Sequence, residues 1–156
     1  MRFDVVRDPP APDNSRVPQL LRELPALVSV SRERRWEFDQ RNGQWVVNDR
    51  LFDLNRVDAT IKRNTAELWE LHNNRQRAWS HPIHIHFEEF RIRTREGDPP
   101  GTSSPENSRK DVVELRTNDE VEVFMQFRDF VGRYVMHCHN TIHEDHAMMI
   151  RWDIVP

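Results

Sequence analysis

Cysteine is nearly absent from this chain: there is one in 156 residues. A lone cysteine excludes an internal disulfide framework. Glycine is also scarce, at four residues, which is low for a chain that must turn often. No apolar run approaches the roughly 20 residues that a membrane-spanning helix needs. The N-terminus lacks the apolar segment of a signal peptide. Strong charge of one sign is missing too, since the net charge is −3. The densest basic cluster, Arg32, Arg34 and Arg35, is interrupted by Glu33, so a nucleic-acid partner is disfavoured. The length suits one domain with a real core.

The one cysteine sits in the most informative stretch of the chain. His137-Cys138-His139 is followed by His143, Glu144, His146 and Met148. A second cluster, His81-Pro82-Ile83-His84-Ile85-His86, lies upstream. A trigonal His2Cys set with a weak axial Met describes an electron-transfer copper site. Structural zinc sites usually collect at least two cysteines or regularly spaced Cys/His pairs, and zinc would leave Met148 unexplained. Imidazole, thiolate and thioether together suit a metal that cycles between Cu(II) and Cu(I).

The spacing has a geometric meaning. Gly132 to His139 reads as a strand, in which side chains alternate between faces. Cys138 then points one way, and His137 and His139 the other, so one tripeptide can touch two metal sites. His84 and His86 likewise share a face. Pro82 sets His81 apart, which lets it join Cys138, His143 and Met148 at one copper. His84, His86, His137 and His139 are left as a four-imidazole group.

Residues 2–7 read as a short strand, and Asp8 to Pro25 as a Pro-rich connector. Residues 1–25 are thus an extended connector and 26–156 the domain proper. Strands are expected at 28–38, 44–48, 58–63, 66–73, 82–95, 111–116, 120–128, 132–138 and 147–154. Asn42-Gly43 is a hairpin signal. Asp98 to Arg109 reads as a mobile loop, and Asn140 to Asp145 as a helical turn carrying His143. Many short strands argue for an all-β sandwich. Met149 is expected to alternate away from Met148 and pack in the core. The five tryptophans, Trp36, Trp45, Trp69, Trp79 and Trp152, read as core or interface. His72 reads as an ordinary strand-end residue.

His81-Pro-Ile-His84-Ile-His86 followed by His137-Cys138-His139-x-x-x-His143-x-x-x-x-Met148 resembles the paired C-terminal copper motifs of multicopper oxidases. The wider chain is similar to the last cupredoxin domain of bacterial laccases of the spore-coat type. The resemblance implies a Greek-key, cupredoxin-like β-sandwich with a short helical turn in the copper loop. It implies that His81, Cys138, His143 and Met148 hold a type 1 copper, His84 a type 2 copper, and His86, His137 and His139 a type 3 pair. It implies that Glu144 assists proton delivery. Substrate would dock at an exposed imidazole edge, that of His143. The implied reaction couples one-electron oxidation of a phenolic, pigment or metal-ion reductant to reduction of dioxygen to water. Location stays open among cytoplasm, spore coat and export.

Two departures matter. The family's cluster needs eight histidines, and this chain supplies four; the rest are expected from an N-terminal cupredoxin domain or chain. Phe87 stands where many members have Gly. The alternative is a stand-alone blue-copper carrier. Such a carrier needs only His81, Cys138, His143 and Met148, and leaves the four other histidines without a use.

Overall fold

Asn42 and Gly43 both take positive φ, 52° and 81°, as a two-residue hairpin turn matched to strand twist requires. They join β1 (Arg32–Arg41) to β2 (Gln44–Val47), with Arg41 opposite Gln44. The computed structural model describes residues 2–18, 21–74 and 79–156. Met1, Gln19 and Leu20 of the expected connector lie outside the described residues.

The remaining elements are β3 (Ala59–Lys62), β4 (Thr65–Asn73), β5 (His81–Ile85), β6 (Phe90–Arg95), β7 (Arg109–Lys110), β8 (Val112–Leu115), β9 (Glu120–Phe127), β10 (Gly132–Cys138), α1 (Thr141–Asp145) and β11 (Met149–Val155). One sheet has the order β2-β1-β4-β9-β6-β7, the other β3-β11-β10-β5-β8. Pairing is antiparallel except for β1 with β4 and β3 with β11. The expected all-β sandwich is therefore the observed fold. Alternation drives it: β9 buries Val121, Val123, Met125 and Phe127, and these meet Trp69, Trp152 and Ile83 from the other strands in one core. Arg34 clips the two sheets together. It donates to both carboxylate oxygens of Glu67 on β4, at 2.6 and 2.9 Å, and to the Thr60 carbonyl on β3 at 2.8 Å.

The structure corrects three readings. Residues 2–7 form no strand: Phe3 and Val5 are exposed, and no strand of either sheet pairs with them among the described residues. The single strand expected at 82–95 is two strands in different sheets, β5 and β6, because the chain crosses the sandwich at 86–89. Met149 is only half-buried, whereas Met148 is the one in the core. The 98–109 loop is tied down at Glu106, which accepts from Arg95.

Glycine's scarcity has an answer. Asn42, Asn48, Asp49, Asn64 and Asn118 take positive φ at turns. Their short polar side chains tolerate the left-handed region that glycine otherwise occupies. Phe87 and Ala147 also do so, at 77° and 58°. For these two residues the conformation costs roughly 1–3 kcal/mol, and both border the histidine clusters. No helix among the described residues is long and apolar enough to cross a membrane.

Candidate metal centres

β5 and β10 are neighbours in one sheet, with Cys138 opposite Ile83 and His137 opposite His84. This register brings the two sequence clusters together. The chain then makes a tight return after β10. Asn140 caps α1 by accepting from the Ile142 amide at 3.2 Å. Ala147 ends it in the left-handed conformation. Its amide donates to the Glu144 carbonyl at 2.8 Å and that of Met148 to the His143 carbonyl at 3.0 Å, the paired bonds of a Schellman cap. The Met148 carbonyl then accepts from the Cys138 amide at 3.2 Å. The backbone of Met148 thus bridges His143 and Cys138.

The first donor group comprises His81, Cys138 and His143, all buried. The two imidazole Nδ1 atoms are 3.0 Å apart. Cys138 Sγ lies 3.7 Å from His81 Nδ1 and 3.5 Å from His143 Nδ1. Met148 is fully buried in the same cluster as Cys138. Burial, and then the neighbouring His143, push His81 down to about 3; burial, and then His146, push His143 down to about 4. Burial pushes the Cys138 thiol up to about 11. The metal-free pocket therefore holds neutral donors facing one another. His143 Nε2 is buried with no hydrogen-bond partner among the described residues, while its Nδ1 faces the sulfur. Three converging N and S donors in a buried pocket fit a soft cation.

The second group comprises His84, His137 and His139, whose ligand atoms lie within 4.8 Å of one another. His86 joins it, with Nε2 3.2 Å from His137 Nε2. His84 Nδ1 donates to the Asp111 carbonyl at 2.9 Å. His137 Nδ1 donates to the Cys138 carbonyl at 3.3 Å. Each bond settles the tautomer and leaves Nε2 as a bare lone pair, the usual preparation of a ligand imidazole. Burial and then the adjacent imidazoles hold His86 below its ordinary pKa; His137 is lowered chiefly by burial. This group is open, with His84 half-buried and His139 exposed.

All eight residues expected to hold metal fall in or beside these two groups. Glu144 stands next to the second, its carboxylate 3.7 Å from His137 Nδ1 and its side chain 42% exposed. His146 caps α1 on the surface. His72 accepts from Arg35 at 2.9 Å on the other sheet. Neither belongs to a donor group.

One expectation is reversed. His143 has no exposed edge: its exposure is 0%. Trp45 covers it with ring centroids 3.7 Å apart, and Trp79 lies 5.4 Å away. Trp79 is 43% exposed, so an indole stands where the imidazole edge was expected. The sequence carried a weak signal for Trp79, two residues before His81. It carried none for Trp45, which only the β1–β2 hairpin brings to the pocket.

A two-sheet sandwich with a buried His2Cys pocket backed by an imidazole cluster defines a cupredoxin-like, copper-binding domain. The family model described as multicopper oxidase matches residues 23–156, and the chain belongs to that family. It is 40% identical over 154 residues to the bilirubin oxidase of Albifimbria verrucaria, covering 96% of this chain and 27% of that protein. It is 30% identical to the laccase of Bacillus subtilis, over 99% of this chain and 34% of that protein. The crystal structure of a laccase from Pediococcus acidilactici superposes with a TM-score of 0.80 at 28% identity, covering 92% of this chain and 32% of the other. The chain thus spans about a quarter to a third of the length of these relatives.

Proposed function

We propose that this chain is the C-terminal copper domain of a laccase-like multicopper oxidase. The observation that carries the reading is the position of Cys138. Its sulfur belongs to the buried donor group, while His137 and His139, its immediate neighbours, belong to the open one. A covalent path of a few bonds therefore joins the two groups.

His81, Cys138, His143 and Met148 would hold a type 1 copper. His84 would hold a type 2 copper, and His86, His137 and His139 a type 3 pair. When bound, copper supplies one-electron oxidation at the first site and the reduction of dioxygen by four electrons and four protons to two waters at the second. The protein's own residues position, insulate and deliver protons. Phe38, Trp45 and Trp79 ring the buried imidazoles and exclude water. A reducing substrate, phenolic, pigment or metal ion, meets the exposed face of Trp79 rather than His143. Glu144 has one side in solvent and one against His137; it can take a proton from water and hold it beside the open group.

The open group supplies four of eight cluster histidines, so an N-terminal cupredoxin domain or chain provides the others. Copper uptake by this chain, followed by optical and EPR spectra, tests the reading. The expected result is one tightly held copper with an intense blue thiolate band, and oxygen uptake only once the N-terminal half of such an oxidase is supplied. Absence of the blue band would overturn the copper assignment. Oxygen uptake by the chain alone would overturn the need for a partner.

A further inference from the structure

Phe87 follows His86 directly and takes a φ of 77°, a conformation that a bulky aromatic residue rarely adopts. The Glu88 amide donates to the His86 carbonyl at 3.1 Å. This i to i+2 bond about a residue of positive φ makes a γ-turn of the strained hand. The turn ends the β5 pairing, in which the His86 amide still donates to the Val135 carbonyl at 3.1 Å. It then sends the chain across to the other sheet.

Two anchors hold the turn. The Phe87 ring packs on Tyr134, with centroids 4.7 Å apart, and meets Phe130 edge-on at 6.0 Å. Glu88 is buried and accepts from the amide and guanidinium of Arg128 at 3.3 and 3.1 Å. His86 itself lacks the tether that its neighbours have. His84 and His137 are each oriented by a ring N–H bonded to a carbonyl, whereas no such bond orients His86 among the described residues. Its ring meets other donors of the group, His137 Nε2 at 3.2 Å among them, and what aims it from outside the group is its backbone, which the turn sets.

We propose that Phe87 is a positioning residue for His86: its ring, clamped by Tyr134 and Phe130, holds the strained turn that aims the His86 imidazole into the open donor group. The strain persists because the aromatic contacts over-determine it. This rests on the reading of the open group as a metal site.

The test is Cu(II) affinity at the non-blue site of the full chain, read by EPR, with the blue band as internal control. Phe87→Ala removes the ring but keeps a side chain for which the positive φ is unfavourable, so the turn loses its clamp. It should weaken the non-blue copper about tenfold or more, the usual cost of losing a group that orients a ligand, and leave the blue band unchanged. Phe87→Tyr keeps the ring and should restore affinity to near the parent value. Denaturant unfolding on the same variants separates stability from positioning. Unchanged affinity in Phe87→Ala, whatever its stability, would overturn the proposal. So would a failure of Phe87→Tyr to restore it. If the parent chain binds no non-blue copper, or His137→Ala does not weaken it, the metal reading of the group falls and the proposal with it.

Discussion

The two donor groups lie on opposite faces of the same strand, yet they differ in almost every physical respect. The first is sealed. His81, Cys138, His143 and Met148 are all buried, and burial displaces the pKa values of His81, Cys138 and His143 toward the neutral forms. The second is open, and runs from the buried His137 to the exposed His139. The first group is complete within one sandwich because the core and the α1 loop wrap it. The second faces outward, where this chain has nothing to cover it among the described residues. Under the proposed function, the closed group is the one that a single domain can finish, and the open face is the one that needs another.

The sharpest way to break this contrast is Cys138→Ser. It should abolish the blue band outright while leaving non-blue copper on the imidazole face. Joint loss of both, in a chain shown to be folded by circular dichroism, would mean that the groups are not independent.

Acid offers the next largest effect. The metal-free His81 and His143 have folded pKa values of about 3 and about 4, below the unfolded value of about 6.5. The unfolded chain therefore binds more protons as pH falls. Stability from these groups is fully present above about pH 6.5 and is lost as pH drops toward 4. The loss should be on the order of 3 kcal/mol for each imidazole at most, seen as a falling unfolding midpoint of the metal-free chain. His81→Gln should flatten the slope, and an unchanged slope would contradict the sealed pocket.

Glu144→Gln addresses the open side. With the N-terminal half supplied, oxygen uptake should fall about a hundredfold or more, the usual range for a lost general acid. The blue band should not move. Equal activity in both proteins would return Glu144 to a solvated turn residue.

Smallest is Asn140→Ala. The lost cap should cost about 1 kcal/mol of stability, measured by denaturant unfolding. It acts on the α1 return that closes the first group, so the blue band should broaden or shift while the non-blue signal stays the same.

How much could be read in advance varied with the distance over which each feature is decided. The Asn42-Gly43 turn and the α1 turn were legible because a local dihedral preference and a local cap decide them. The two donor groups were legible because period-two alternation is a property of any strand. The crossing at 86–89 was not legible. The apolar positions do slip in phase, from Ile83, Ile85 and Phe87 to Phe90 and Ile92, but such a slip marks a bulge as readily as a change of sheet, and Phe87 is a poor candidate for positive φ on its own. The core place of Met148 over Met149 followed from a Schellman cap at Ala147, where alanine hides the signal that glycine would have shown.

By itself, the sequence determined the chemistry: which atoms can bind, that one thiolate and one thioether are available, and that Cys138 and its flanking histidines must face apart. That follows from covalent spacing and strand periodicity alone. Only the tertiary structure decided access and aim. It buried His143 beneath Trp45, put Trp79 at the surface in its place, and left His86 to be directed by a clamped aromatic ring. Those outcomes depend on contacts between residues far apart in the chain, such as Trp45 with His143 and Phe87 with Tyr134, and no local pattern encodes them.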